Sequence, residues 1–358
     1  MLTSQGPASQ GAAPRFSIRS LELFEREVRL RLPFRFGVAT LTESPQAFVR
    51  ARIRLQDGTQ AAGGAAELLA PKWFDKDLAL SNQDNFGQLR RSLGIARTAY
   101  LAGGANTAFG HFSAHYRAQI EACAGAGLNS LVACYGPALI DRAVLDALCR
   151  ALGISFYAAV RANLPGVDAS LTAELAGFDL ARFLGSLAPA MTIAARHTVG
   201  LVDPITAADQ TERVGDGLPE TLEEVVARYG HRYFKLKVGG DAAADLARIG
   251  AIASVLDRSP EPYFASLDGN EQYQDVEGIA ELWRRMKASP SLARLAASVL
   301  FIEQPVKRQN ALARDVSALS RDKPVIIDES DDSLDAFPRA RALGYAGVSS
   351  KTCKGLYK

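Results

Sequence analysis

The sequence lacks several features that would point to other kinds of protein. No apolar run is long enough to cross a bilayer. The first fourteen residues, rich in Gly, Ala, Ser and Gln, lack the apolar core of a signal peptide, and we interpret residues 1–14 as a disordered leader. The 41 basic and 39 acidic residues leave a formal charge of only +2, which gives no reason to expect nucleic acid or an anionic membrane as a partner.

Cysteine and histidine are also scarce, with four of each. None of the cysteines has C-x-x-C spacing, so we interpret them as reduced thiols of a cytoplasmic protein. His111 and His115 are four residues apart and share a face if their segment is helical. Because no acidic third ligand lies at a suitable offset, a structural role is favoured over a metal pair.

What remains is an ordinary globular composition with room for two domains, since 48% of the 358 residues are hydrophobic. Residues 16–69 predict antiparallel strands, because apolar residues alternate with arginines over Val49–Leu55 and Asp57-Gly58 follows as a tight turn. Residues 75–187 are mainly helical, with one helix predicted just after Pro137. We expect an α+β domain over residues 15–185, with a three-stranded meander and helices, and a second domain over residues 186–358.

The segment Pro33–Thr40, between the first two predicted strands, mixes aromatic residues with Gly and Thr. This composition is unusual for a solvated turn. It fits a loop that covers a ligand, and it fits equally well a hydrophobic lid on the first domain's own core.

The second domain repeats one pattern, in which a short apolar run ends in an ionisable residue and a helix-length segment follows. The first run is predicted over Met191–Val199. Short buried strands that alternate with helices predict a parallel α/β sheet, and the carboxyl ends of such strands meet on one face of a barrel. The ionisable residues at these ends are Lys235, Lys237, Asp268, Glu303, Asp328, Glu329 and Lys351.

Asp268, Glu303 and Asp328 follow three consecutive predicted strands. Three carboxylates that converge on one point suit Mg²⁺, and the absence of histidine or cysteine beside them argues against zinc. Asp328 and Glu329 would point to opposite sides of a strand. Only one of them is then a ligand, and we choose Asp328.

Lys235 and Lys237 share one face of a strand, so each ammonium group is expected to lower the pKa of the other and to make one of them a general base. Lys351 would face this pair across the cavity. A base, an acid and a divalent cation between them would allow abstraction of a proton α to a carboxylate. Lys354 and Lys358 follow no strand and are interpreted as solvated surface lysines.

Five motifs together resemble the signature of the enolase superfamily, in the mandelate racemase and muconate-lactonising family and its branch of muconate cycloisomerases and dipeptide epimerases. They are Lys235-Leu236-Lys237, Asp268-Gly269-Asn270, Glu303-Gln304-Pro305, Asp328-Glu329-Ser330 and Lys351.

The resemblance implies a capping domain followed by a modified (β/α) TIM barrel, with Mg²⁺ held by the three carboxylates. It implies that Lys237 and Lys351 are the acid/base pair, that Lys235 supports Lys237, and that Asn270 contacts the substrate. Phe36 and Thr40 would lie on a substrate-selecting loop over residues 33–42. The implied activity is that of an isomerase on a small carboxylate, a racemase, epimerase or cycloisomerase, with a lyase or dehydratase second.

Other interpretations stay open at this stage. The six predicted strands are two fewer than a closed barrel needs, which predicts either a fragment truncated after the sixth strand or a departure from the fold. A non-catalytic protein would fit that outcome. A Schiff-base lyase that uses Lys237 or Lys351 would also fit the lysines. Nothing in the sequence decides whether the protein is a homo-oligomer.

Overall fold

The computed structural model describes residues 12–358. Most of the predicted disordered leader, residues 1–11, lies outside the described residues, and residues 12–14 have no regular secondary structure. Among the described residues, no helix combines the length and apolar character that crossing a membrane requires. The four cysteines are unpaired, and three of them are buried.

The N-terminal half, called the cap below, consists of a three-stranded antiparallel sheet and five helices, as predicted. Its strands are paired in the order β1-β2-β3. Along β2, the apolar residues Val49, Ala51 and Ile53 are buried and the arginines between them are exposed, which confirms the alternation read from the sequence. The elements are β1 (Phe16–Phe36), β2 (Ala39–Leu55), β3 (Gln60–Leu68), α1 (Asn82–Ala102), α2 (Ala108–Gly125), α3 (Ser130–Leu152), α4 (Phe156–Arg161) and α5 (Leu180–Ser186).

The segment over residues 33–42 is the tip of a hairpin rather than a loop. β1 runs to Phe36 and β2 starts at Ala39, so only Gly37 and Val38 form the turn. Gly37 has φ +51°, and a Cβ there would lie 2.8 Å from the side-chain nitrogen of Gln272. Glycine therefore allows the turn to bend in the left-handed region and to approach the second domain closely.

Helix α3 begins before Pro137, not after it as the sequence suggested. A proline inside a helix leaves the carbonyl four residues earlier without its donor. Here that carbonyl belongs to Ala133, and it accepts instead from the Ser92 hydroxyl at 3.2 Å and from the Gln119 amide at 3.1 Å. Neighbouring helices thus replace the missing hydrogen bond, so the helix continues through the proline.

Strand β3 packs directly on α3, backbone against backbone. A Cβ added to Gly63 would lie 2.1 Å from the backbone nitrogen of Ala147 and 2.4 Å from the carbonyl oxygen of Ala143. The adjacent Gly64 faces the other way and has only one contact within reach, at 3.7 Å. The small residue at position 63 therefore sets the distance between the sheet and its central helix.

A buried carboxyl group lies within the helical layer of the cap. Asp141 is 1% exposed. One of its oxygens accepts a 2.9 Å hydrogen bond from the Tyr100 hydroxyl, and the other has no hydrogen-bond partner among the described residues. Burial raises the pKa of the Asp141 carboxyl well above its ordinary value.

We expect the substitution Asp141→Asn to stabilise the protein at neutral and alkaline pH. In the unfolded chain this carboxyl loses its proton above about pH 4, whereas the raised pKa in the folded protein lets it keep the proton to a higher pH. The folded state then binds more protons, so wild-type stability falls as the pH rises above that value. The asparagine keeps the acceptor for Tyr100 but does not ionise. Its gain should vanish near pH 4 and grow by about 1.4 kcal/mol for each pH unit over which only the folded state keeps the proton.

Thermal unfolding of both proteins at pH 5 and pH 8 measures this difference. The exposed Glu121, replaced by glutamine, is the control and should change the unfolding midpoint little at either pH. A gain that is equal at the two pH values would contradict a protonated Asp141 in the folded state.

The C-terminal half, called the barrel region below, is a six-stranded parallel sheet with helices between the strands, as predicted. The strands follow chain order from β4 to β9. The elements are β4 (Arg196–Val199), α6 (Leu222–Tyr229), β5 (Tyr233–Lys237), α7 (Ala242–Leu256), β6 (Phe264–Asp268), α8 (Val276–Ala288), α9 (Ala293–Ser298), β7 (Val299–Glu303), α10 (Arg308–Ala311), α11 (Ser317–Asp322), β8 (Val325–Ile327), α12 (Ala336–Ala342) and β9 (Gly347–Val348).

The first strand of this sheet is shorter than the apolar run that predicted it. Only Arg196–Val199 pair with β5, and the residues before them have no strand partner. Met191 and Ile193 are 92% and 94% exposed, so apolar character alone did not place them in the sheet. The predicted boundary near residue 185 falls at the end of α5.

Each half has its own hydrophobic core, and the last residues of the chain join them. Beyond β9 the chain turns back onto the cap, where Leu356 and Tyr357 pack against the cap core. The ring of Tyr357 lies 5.7 Å, centroid to centroid, from both Phe109 and Phe112 on α2. The segment that follows Lys351 is therefore held by the cap as well as by the sheet.

Candidate active site

Strand register brings the predicted ionisable residues to one edge of the sheet. Lys237 on β5 pairs with Asp268 on β6, and Asp268 pairs with Glu303 on β7. Asp328 comes directly after β8, and Lys351 comes three residues after β9. Parallel strands in register place equivalent positions side by side, so the five side chains form one row along the carboxyl edge.

The carboxylates of this row are fully buried, and the lysines of β5 pair with two of them. Asp268, Glu303 and Asp328 each have 0% exposure. The ammonium nitrogen of Lys235 lies 2.6 Å from Asp268 Oδ2 and 2.8 Å from Glu303 Oε2, and that of Lys237 lies 2.6 Å from the same Asp268 oxygen. Buried charges are tolerated only when they are paired, and these ion pairs meet that requirement.

Lys351 approaches the carboxylates from the opposite end of the row. Its ammonium nitrogen pairs with Asp328 Oδ2 and lies 3.9 Å from Glu303 Oε1. Its side chain is 31% exposed, compared with 7% for Lys237. Two lysines thus flank the carboxylates, one deeply buried and one open to solvent.

The cap adds an aromatic ring above each of these lysines. The Phe36 ring, at the hairpin tip, has its centroid 6.0 Å from the Lys237 nitrogen, and the Trp73 ring lies 4.7 Å from the Lys351 nitrogen. The structure does not bring Thr40 to the row. Its side chain is exposed, because alternation along β2 turns it away from the buried Ala39.

A second cap residue that the sequence did not suggest is Lys76, in the loop between β3 and α1. Its ammonium nitrogen lies 2.6 Å from the Asn270 carbonyl oxygen, 3.1 Å from Glu329 Oε1 and 2.6 Å from Glu271 Oε2. Glu271 also receives the guanidinium of Arg308 at 2.8 Å. Trp73 and Lys76 were missed because their loop has no periodic pattern, although Trp73 is one of only two tryptophans.

The prediction that Lys354 and Lys358 are solvated is wrong. Lys354 is 2% exposed, and its ammonium group donates to the Ser349 carbonyl oxygen at 2.7 Å and the Asp328 carbonyl oxygen at 3.0 Å. Lys358 pairs with Asp331, and its side chain is 5% exposed. Both are buried because the segment after β9 folds back over the strand ends, a tertiary contact without a local signal.

Gln304, in the Glu303-Gln304-Pro305 motif, ties two strand ends together. Its side-chain oxygen accepts from the backbone nitrogens of Asp328 at 2.7 Å and Ser330 at 3.1 Å, and its amide donates to the Ser330 hydroxyl at 2.7 Å. Gln304 has φ +33°, and Asn270 and Glu271 have φ +40° and +69°. Non-glycine residues in this region are strained, and such strain is concentrated at functional sites.

The two lysines of β5 have pKa values shifted in opposite directions. Burial lowers the pKa of Lys237; the charge of Asp268 opposes this shift and that of Lys235 adds to it. Burial alone would lower the pKa of Lys235 as well, but Asp268 and Glu303 outweigh it and raise that pKa. Lys235 thus lowers the pKa of Lys237 as expected, although burial is the larger cause, whereas the pKa of Lys235 is raised rather than lowered.

The two neighbouring carboxyls that follow β8, Asp328 and Glu329, also have pKa values shifted in opposite directions. Burial raises the pKa of Asp328 to about 7, against the charge of Lys351. Burial would also raise the pKa of Glu329, but the charge of Lys76 is the main opposing cause, and the net pKa is lowered to about 2. Both carboxyls have lysine partners, Lys76 for Glu329 and Lys351 with Lys354 for Asp328.

The donor set fits the Mg²⁺ that the resemblance implies. Within residues 12–358, no three Asp, Glu, His or Cys side chains already converge as metal ligands, because lysine nitrogens lie between the carboxylates. Yet Glu303 Oε1 is buried without a hydrogen-bond partner in that part of the chain. A buried, unpartnered carboxylate oxygen among three carboxylates is the hard-oxygen environment that Mg²⁺ prefers.

A cavity of about 810 Å³ opens beside this row, between the cap and the barrel region. Its lining is largely polar and charged, and Lys76 belongs both to this lining and to the buried contacts with Glu329. The other lining residues come from the hairpin tip, from residues 75–78, from Asn129 before α3 and from the segments that follow β6, β7 and β8. None of the five row residues lines the cavity, and Lys76 connects its wall to Glu329, the neighbour of Asp328.

Residues 217–354 match the family described as "Enolase C-terminal domain-like". This range contains all of the predicted lysines and carboxylates of the row. No curated protein sequence matches the chain.

Solved structures with the same fold include three with bound ligands or known reactions. An enolase from Bradyrhizobium, complexed with magnesium and mandelic acid, has a TM-score of 0.59 and 19% identity over 95% of this chain and 75% of that one. The L-Ala-D/L-Glu epimerase from Bacillus subtilis has a TM-score of 0.56 and 20% identity over 94% of this chain and 75% of that one. A muconate lactonizing enzyme from Pseudomonas fluorescens, complexed with muconolactone, has a TM-score of 0.55 and 19% identity over 94% of this chain and 73% of that one. At these identities the similarity shows the fold.

Proposed function

We propose that the protein is a Mg²⁺-dependent isomerase that removes and returns the proton on the carbon next to a substrate carboxylate. The proposal starts from the match of residues 217–354 to the enolase C-terminal-like domain. The observation that carries this proposal is the pair of lysines at opposite ends of one buried carboxylate row. A racemase or epimerase needs two proton-transfer groups on opposite sides of a carbon atom, and a cycloisomerase needs one of them. The substrate is a small carboxylate.

Asp268, Glu303 and Asp328 would hold the metal ion, which when bound supplies positive charge to offset the negative charge that develops on the substrate carboxylate. Asp328 is preferred over Glu329 as the third ligand. Asp328 follows β8 directly, and its partner Lys351 also lies 3.9 Å from Glu303 Oε1, whereas Glu329 Oε1 binds Lys76 and Asn270. Lys354 pairs with the other oxygen of Asp328, and Glu329 Oε2 has no hydrogen-bond partner among the described residues.

Lys237 is the better base, because its lowered pKa favours the neutral amine that accepts a proton. Lys351 is the better acid. Burial would lower its pKa, but Asp328 and the other carboxylates raise it, so it keeps its proton. The C–H bond breaks toward Lys237 and its electron pair moves toward the carboxylate, after which Lys351 delivers a proton to the opposite face. Lys235 supports the base by holding Asp268.

The cap would supply the substrate walls. Phe36 and Trp73 lie above the two lysines, and Asn270 presents its amide beside Lys237. The polar cavity would admit the part of the substrate beyond the reacting carbon. In this proposal the cap is residues 15–185 and the catalytic domain is residues 186–358.

Proton exchange in heavy water tests the proposal. The protein is incubated with Mg²⁺ in D₂O and mandelate, muconolactone or L-Ala-L-Glu, and loss of the α-proton signal is followed by NMR. We expect exchange with at least one compound, and we expect a chelator to stop it. Absence of exchange from all three would overturn the proposal for these substrate classes.

Replacing Glu303 with glutamine should weaken Mg²⁺ binding by at least about tenfold, the lower end of the losses seen for residues that merely support metal ligands. The substitution removes the charge of the central carboxylate and its unpartnered oxygen. Isothermal titration with Mg²⁺ measures the affinity. Glu281→Gln on the exposed face of α8 is the control, and an affinity equal to that of the control would remove Glu303 from the ligand set.

A Schiff-base lyase is the second candidate, because the lowered pKa of Lys237 would also suit a nucleophilic amine. Such an enzyme would be trapped irreversibly on a carbonyl substrate by borohydride. We expect no trapped adduct in the intact-mass spectrum after borohydride treatment, and a covalent adduct on Lys237 would favour the lyase.

A further inference from the structure

Lys76 is unusual among the charged residues of the cap because it contacts buried groups that lie next to the row of the other half. Its side chain is 16% exposed, and its ammonium nitrogen contacts Glu271, Glu329 and the Asn270 carbonyl oxygen. A lysine that served only to join two surfaces would not need a fully buried carboxylate such as Glu329 as its partner.

A chain of polar contacts connects Lys76 to the candidate base. Glu329 Oε1, which binds Lys76, also accepts from the Asn270 side-chain amide at 2.9 Å. The other end of that amide, Asn270 Oδ1, accepts from the ammonium group of Lys237. The sequence of contacts is thus Lys76, Glu329, Asn270 and Lys237.

The charges of Glu329 and Lys237 determine which way the Asn270 amide is oriented. If the Asn270 amide were flipped, its NH₂ group would face the ammonium of Lys237 and its oxygen would face the carboxylate of Glu329. Both contacts would be repulsive, since an ammonium only donates and an ionised carboxylate only accepts. Glu329 therefore selects the orientation of Asn270, and Lys76 holds Glu329 in place.

We propose that Lys76 is a positioning residue for Lys237, acting through Glu329 and Asn270, so that proton transfer on the Lys237 face depends on a residue of the cap. This inference rests on the proposed function. Lys351 does not belong to this series of contacts, because its own contacts are Asp328, Glu303 and the Trp73 ring. Loss of Lys76 should therefore affect the two faces unequally.

Arg308 provides a matched control for cap docking. Its guanidinium donates to the carbonyl oxygens of Trp73 and Phe74, both at 2.9 Å, and pairs with Glu271. It holds the same cap loop as Lys76 but does not contact Glu329 or Asn270. Arg308→Lys should therefore loosen the loop but leave the contacts through Glu329 and Asn270 to Lys237 intact.

The experiment compares Lys76→Met, Lys76→Arg and Arg308→Lys with the wild type, using L-Ala-L-Glu with L-Ala-D-Glu and the two mandelate enantiomers as probes in D₂O. The substrate face on which Lys237 acts is identified as the one that loses proton exchange in the Lys237→Ala variant. We expect Lys76→Met to lower kcat for exchange on that face by about 10- to 100-fold, as misplacement of a catalytic group does. The other face should change by less than about threefold, and Lys76→Arg should recover most of the loss.

Arg308→Lys should affect both faces equally and act mainly on KM. The Mg²⁺ affinity of Lys76→Met, measured by titration without substrate, should stay close to that of the wild type. Equal loss on both faces in Lys76→Met would overturn the inference and leave Lys76 a docking residue. A large loss of Mg²⁺ affinity would also overturn it. A wild type that exchanges neither face of any probe would instead refute the proposed function, and this inference with it.

Discussion

Alanine in place of Lys351 should abolish α-proton exchange on one face of the substrate and leave the other face active, and alanine in place of Lys237 should do the reverse. Each substitution removes one proton-transfer group, which contributes about 10²- to 10⁴-fold to a rate. The two lysines pair with carboxylates at opposite ends of the row and sit under different aromatic rings. Neither can therefore replace the other.

The measurement is NMR in D₂O with each stereoisomer of an exchanging substrate, so that each face is observed separately. Lys287→Ala, at an exposed ion pair with Asp322 on the outside of the barrel region, is the control and should exchange both faces normally. If either Lys237→Ala or Lys351→Ala keeps exchange on both faces, the acid/base assignment is refuted.

The largest effect on stability is expected from Gly63→Ala. The new Cβ would lie 2.1 Å from the backbone of Ala147, so strand β3 and helix α3 would have to separate. Overpacking of this kind costs about 3 kcal/mol, near the upper end of its usual range. For a unit of this size we expect the thermal unfolding midpoint to fall by about 6–12 °C.

Gly64→Ala is the matched control, since it makes the same change one residue later on the open face of β3. Its Cβ would meet only the Val49 carbonyl oxygen, at an ordinary 3.7 Å. We expect little change in its unfolding midpoint. If the two variants unfold at the same temperature, the spacing between β3 and α3 is not set by position 63.

The parts of the site that could be predicted are those that the strand repeat encodes. Lys237, Asp268 and Glu303 end consecutive strands, and parallel register alone brings them together. The same reasoning correctly predicted the order of elements in both halves, because alternation in β2 and buried runs in β5–β8 are local signals. The local repeat was sufficient to predict the position of a side chain wherever that position depends only on the end of its own strand.

The parts that could not be predicted depend on contacts between distant segments. Trp73 and Lys76 come from an aperiodic loop that reaches the row only when the cap is docked. Lys354 is buried because the chain folds back after β9. Helix α3 passes through Pro137 because Ser92 and Gln119, on other helices, supply the missing donors. None of these partners is near in sequence.

The left-handed backbone at the rim of the site indicates a trade-off between stability and activity. Asn270, Glu271 and Gln304 hold conformations that glycine would adopt without strain, and each costs about 1–3 kcal/mol. The Asn270 side chain binds Lys237, that of Glu271 binds Lys76 and Arg308, and that of Gln304 binds the backbone that follows β8. Selection for thermostability alone would favour glycine at these positions, so variants selected only for resistance to heat should lose activity here first.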